Sequence, residues 1–93
     1  MTIAQLARQF NIPAKKLERE SLRAFLLTKL GEIEASRHPI LKKYKIESAK
    51  DWDEKAREGK AAEEGYQGID DYFQLDALDS EKETLMRELL SMS

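Results

Sequence analysis

Apolar residues recur at intervals of three and four along most of this chain, which is the spacing of one face of an α-helix. Ile3, Leu6 and Phe10 give a short first helix an apolar side. Thr2 precedes it as a cap and Gln5 follows three residues later, the arrangement of a capping box. Asn11-Ile12-Pro13 breaks that helix, and Pro13 suits the first turn of the next. No period-two alternation that would mark a strand is present, and no segment repeats.

The second helix is predicted from Pro13 to Tyr44. Its stripe reads Leu22, Leu26, Leu30, Ile33, Arg37, Ile40, Tyr44. Gly31 and Pro39 interrupt it, but the stripe keeps phase across Pro39, which predicts a kink and not a stop. Nearly opposite lies a stripe of small residues: Ser21, Ala24, Thr28, Gly31 and Ala35. Small side chains let a second backbone approach closely. Between Ser21 and Gly31 the only charges are Arg23 and Lys29, and a helix this apolar on several sides is usually covered on several sides. The small stripe is therefore the expected dimer interface.

Ser48 and Asp51 predict a cap for a short helix that carries Trp52 and Ala56 and stops at Gly59. Lys60 to Gly68 reads as a loop. A last helix is expected from Ile69 to Leu90, where Leu75, Leu78, Lys82, Leu85, Leu89 and Met92 form a heptad seam with a lysine at one core position. The reading is all-α and a single domain over 1–93. A short N-terminal helix, a long kinked helix and a C-terminal helix form an antiparallel helical hairpin, completed by dimerisation.

Charge changes the picture. Residues 1–45 hold ten basic and four acidic side chains, and residues 46–93 hold six and fourteen, so a basic half of +6 precedes an acidic half of −8. Such a division suggests that each half faces a different kind of partner. With no cysteine, disulfides and thiolate metal sites are excluded. The apolar runs are too short to span a bilayer, and the start of the chain has no signal-peptide pattern, so a cytoplasmic location without membrane attachment is expected.

Chemistry has few footholds. Asp70, Asp71, Asp76, Asp79 and Glu83 lie along the last helix, but the Glu-x-x-Glu half of a magnesium-binding helical pyrophosphatase motif is missing. These carboxylates read as a solvated face. His38, the only histidine, has no second ligand nearby and reads as an exposed side chain beside the kink. No catalytic residue, metal or cofactor is expected. Ile3 to Leu22 partly fits a helix-turn-helix, with Glu20 where an apolar residue belongs; Arg8, Lys15, Lys16, Arg19 and Arg23 are the candidate phosphate contacts. Trp52, Tyr66, Tyr72 and Phe73 sit around the connection between the hairpin arms, where they fill the hairpin end or anchor an interface.

Over roughly Leu17 to Leu90, with Glu20-Ser21-Leu22-Arg23 as its first matching part, the chain resembles small helical prokaryotic proteins of the antitoxin type. The matching parts are Leu30-Gly31-Glu32-Ile33-Glu34-Ala35, Lys42-Lys43-Tyr44 and Asp70-Asp71-Tyr72-Phe73-Gln74-Leu75. Pro39, Lys45 in place of the usual glycine, and Ile69 in place of a tryptophan depart from the pattern. The resemblance implies a homodimer whose acidic C-terminal half occludes a basic toxin or nuclease, with no bond made or broken. Partner contacts would come from Trp52, Tyr66, Asp70, Asp71, Tyr72 and Phe73. A DNA-binding regulator acting through the basic N-terminal helices and a purely structural dimer stand beside it as alternatives.

Overall fold

The computed structural model describes residues 1–58 and 65–92, with the side chains of all but residues 65–67. The described residues form four helices and no strand: α1 (Ile3–Gln9), α2 (Ala14–Tyr44), α3 (Ala49–Arg57) and α4 (Gly65–Ser91). The all-α class follows.

Local sequence sets the helix ends. Thr2 and Gln5 close the expected capping box: the Gln5 N–H donates to Thr2 Oγ1 at 3.1 Å and the Thr2 N–H to Gln5 Oε1 at 2.8 Å. The helix then stops at a Schellman turn. Asn11 takes φ 55, and the Asn11 and Ile12 amides donate back to the Arg8 and Ala7 carbonyls. Asparagine tolerates this left-handed conformation better than most residues. Pro13 stands immediately before α2, and its carbonyl accepts from the Lys16 and Leu17 amides. The helix runs unbroken through Pro39 to Tyr44 and ends on Lys45 at φ 55. Ser48 caps α3 by accepting from the Asp51 amide, as expected.

The start of α4 differs from the sequence reading. Residues 60–64 of the expected loop lie outside the described residues, but 65–68 are helical, so α4 begins at Gly65 and not at Ile69. Gly65 and Gly68 each cost a helix about 1 kcal/mol relative to alanine, which is why they read as loop. Gly68 is buried here, so tertiary packing overrides local preference.

α2 and α4 pack antiparallel, with the lower half of each stripe meeting the other. Ile33, Arg37 and Ile40 of α2 are buried, and Leu75 of α4 is 0% exposed. Leu78, Lys82, Leu85, Leu89 and Met92 follow half-buried along the expected seam. α3 folds over the end where α2 turns, and Ile40, Ile46, Ala49, Trp52 and Leu75 form the core there, flanked by Leu41, Tyr44, Tyr72 and Leu78. At the other, open end of the hairpin, α1 packs on α2, and Ala7 is the only buried apolar residue of 1–31 and 80–92. The molecule is long, 59 × 22 × 16 Å. Its radius of gyration is 18.9 Å, against about 12 Å for a compact domain of this length.

Stability is therefore concentrated at the closed end. Trp52→Ala is expected to cost about 3–5 kcal/mol, while Leu90→Ala, at an exposed site on the open end, costs under about 0.5 kcal/mol. Urea denaturation followed by circular dichroism compares the two.

Candidate functional site

The expected site residues fall into three places. At the closed end, Tyr44, Trp52, Tyr72 and Phe73 form a chain of ring contacts with centroid separations of 4.2, 5.6 and 5.7 Å. Trp52 lies in the middle and is 7% exposed, so it belongs to the core and offers no surface to a partner. Tyr72 is half-buried against it. Asp71 is also engaged internally: its Oδ2 accepts from the Tyr44 hydroxyl at 2.6 Å and from Lys43 Nζ at 3.2 Å. The Tyr44 hydrogen bond, then Lys43, hold the Asp71 carboxyl below its ordinary value. Burial pushes the Tyr44 phenol up, and the Asp53 carboxylate does the same to Tyr72. Phe73 is 63% exposed and Asp70 is exposed. The Tyr66 side chain lies outside the described residues.

The second place is a polar node that sequence reasoning missed. Arg37 sits in the apolar stripe and is 5% exposed, the one buried charged residue among those described. Its Nε donates to Asp79 Oδ1 at 2.6 Å, one terminal nitrogen donates to both oxygens of Glu34 at 3.1 Å, and the other to the Glu47 carbonyl at 3.0 Å. Asp79 Oδ2 accepts from the Ala49 amide at 2.7 Å. That amide is an unpaired donor of the first turn of α3, where a carboxylate also faces the positive end of the helix dipole. Lys82, the polar seam residue, reaches Glu34 at 2.8 Å. This hydrogen bond is the largest of the effects that hold the Glu34 carboxyl below its ordinary value. Asp79 therefore corrects the reading of the α4 carboxylates as one solvated face. The signal was present: a charged residue in phase with a buried stripe needs an opposite charge on the facing helix. No buried side-chain nitrogen or oxygen among the described residues lacks a partner.

The third place is the open end. Arg8, Lys15, Lys16, Arg19 and Arg23 are all exposed, and Arg19 donates to the Met92 carbonyl across the hairpin. Ser21, Ala24, Thr28, Gly31 and Ala35 are exposed along the back of α2, with nothing within 4 Å of where a Gly31 Cβ would stand. Phe10, Leu22, Phe25, Leu27, Met86 and Leu90 are among the large apolar side chains left in solvent there. His38 is exposed, as expected, and Glu34, one turn earlier, pairs with Arg37 and Lys82. Among the described residues no group of three His, Cys, Asp or Glu is arranged to hold a metal, and no helix is long and apolar enough to cross a membrane.

The chain belongs to the uncharacterized protein MJ0235 family, whose sequence model matches residues 1–93. No curated protein matches, and no solved structure matches. The family model says nothing of antitoxins, so that resemblance rests on the residue pattern of the chain alone.

Removing one side of the node exposes its worth. Asp79→Ala leaves the Arg37 guanidinium buried against a lost partner and is expected to cost about 3–5 kcal/mol, while the Arg37→Met, Asp79→Leu double variant recovers part of that in urea titrations. Acid acts on the same pairs. Glu34 and Asp71 have lowered folded-state values, so their stabilisation is complete above the ordinary values of 4.5 and 3.8 and is lost as pH falls through the lowered ones. Denaturation midpoints are expected to drop below that range, and the Glu34→Gln, Asp71→Asn double variant flattens the drop.

Proposed function

We propose that this member of the family is a non-enzymatic protein–protein interaction module that binds a basic protein through the outward face of α4. One observation carries the reading. The carboxylates of α4 that face inward, Asp71 and Asp79, are engaged by the fold, while Asp70, Asp76, Glu83 and Glu88 stand exposed on the outside. Arg87 is the only cation among them, paired with Glu83 at 3.6 Å. Ile69 and Phe73 project on the same side, 50% and 63% exposed. An acidic helix with two apolar anchors suits a basic cleft: the charge speeds the encounter, and burial of the two apolar side chains sets affinity.

The antitoxin-type resemblance supports the same picture, in which the acidic helix covers the cleft of a basic toxin or nuclease. The mechanism is occlusion. It uses Asp70, Phe73 and Asp76 for contact. Trp52, Asp71 and Tyr72 hold the surface in shape and touch no partner directly. A DNA-binding role is the competing reading, favoured by the exposure of Arg8, Lys15, Lys16, Arg19 and Arg23.

A tagged pull-down from the source cells, followed by mass spectrometry, tests the proposal. The expected result is a stoichiometric basic protein, lost with Asp70→Lys, Phe73→Ser and Asp76→Lys together, while the far-ultraviolet circular dichroism stays unchanged. Recovery of DNA in its place, lost with Lys15→Ala and Lys16→Ala and falling steeply with salt, would overturn it.

A further inference from the structure

Beside the seam that packs on α4, one flank of α2 carries Phe25, Lys29, Glu32 and Ser36. They form one wall of an open groove of about 350 Å³ between α2 and α4, with Ile33, Leu78 and Leu85 lining it and Glu81 on the far rim. Phe25 is 58% exposed, with Lys29 Nζ 5.7 Å from its ring centroid. Lys29 also reaches Glu32 at 3.3 Å, and both side chains remain about half in solvent.

The spacing along this flank is four, three, four. That order is its own complement when read backwards. If a second α2 is laid antiparallel with a twofold axis midway between Leu30 and Gly31, Lys29 falls opposite Glu32 of the partner subunit, twice. The same axis sets Phe25 against Ser36 of the partner subunit, a ring over a small side chain. A parallel arrangement would instead set lysine on lysine and glutamate on glutamate.

The whole molecule has the same polarity. The open end, residues 1–31 and 80–92, holds eight basic and five acidic side chains, +3. The closed end, residues 32–58 and 65–79, holds seven and eleven, −4. Along a 59 Å axis, an antiparallel neighbour brings the basic end of one copy to the acidic end of the other. The open end also has the most to gain from being covered, since its arms bury only Ala7. Two hairpins packed together make four long helices around a shared interior, the usual way such pairs of helices become stable.

We propose that this chain forms an antiparallel homodimer in which the Phe25–Lys29–Glu32–Ser36 flank of α2 packs on the same flank of a second copy. The contact is isologous, as a twofold dimer requires. It lies between the α4-facing seam and the small-residue stripe expected from the sequence. It leaves the outward face of α4 free and so stands independently of the proposed partner.

The oligomeric state of the full chain tests this. Sedimentation equilibrium is expected to give a dimer. Lys29→Glu and Glu32→Lys each place like charges opposite one another twice, and each is expected to weaken the dimer about tenfold or more. Mixing the two variants restores both pairs, so native mass spectrometry should show the heterodimer dominating over either homodimer. The chain has no cysteine, so a Phe25→Cys, Ser36→Cys variant adds a second readout. Eleven residues of helix separate the two thiols by roughly 16 Å, beyond disulfide reach within one chain, so oxidation should yield a doubly crosslinked dimer. A monomer at high micromolar concentration would overturn the proposal. So would a dimer indifferent to both charge variants, or one that fails to crosslink.

Discussion

The Arg37 guanidinium is the point at which three helices are fixed to one another. It leaves α2 inside an otherwise apolar stripe, takes Asp79 from α4, and holds the Glu47 carbonyl just ahead of α3. Asp79 then passes the connection on to the first amide of α3. A buried ion pair of this kind adds little stability over an apolar substitute, but it is strict about geometry. A one-turn slip of α4 along α2 would leave a guanidinium and a carboxylate buried without partners. Leucines alone would tolerate such a slip far better. Register in this hairpin is thus set by charge, and the leucine seam follows it.

Below the node the molecule resembles an ordinary small domain, with Trp52 between two tyrosines and Leu75 fully enclosed. Above it two long arms extend with their apolar side chains half in water. This division accounts for both functional proposals. The closed end packs against Tyr72, Leu75 and Leu78 of α4, and Ile69, Asp70, Phe73 and Asp76 are carried on that packed helix. The open end offers the surface on which a second copy can complete the bundle.

Much of this was legible in the chain. The stripe from Leu26 to Tyr44 and the seam from Leu75 to Met92 named the packed faces, because helical periodicity is imposed by burial and survives without any knowledge of the partner helix. Caps at Thr2 and Ser48 were legible because they rest on contacts only three residues long. What could not be read was which charges meet across the hairpin. Arg37 and Asp79 are 42 residues apart, and the acidic residues near Asp79 gave no sign of which one turns inward. The charge division between halves was visible, yet part of it closes on itself as Lys43 meets Asp71 and Arg37 meets Asp79. The glycines at 65 and 68 misled for the opposite reason, since local preference there is outweighed by packing.

Burial that falls from one end of a long hairpin to the other also sets how the molecule comes apart. Arms held by half-buried leucines open before a core built around Leu75 and Trp52, so disruption begins at α1 and the C-terminus and advances toward Arg37, where it meets a cooperative barrier. Such a chain behaves as a zipper with a locked base. Whatever covers the arms raises the free energy of opening for residues far from any contact it makes, and the lifetime of the unzipped form sets how quickly proteases reach the chain.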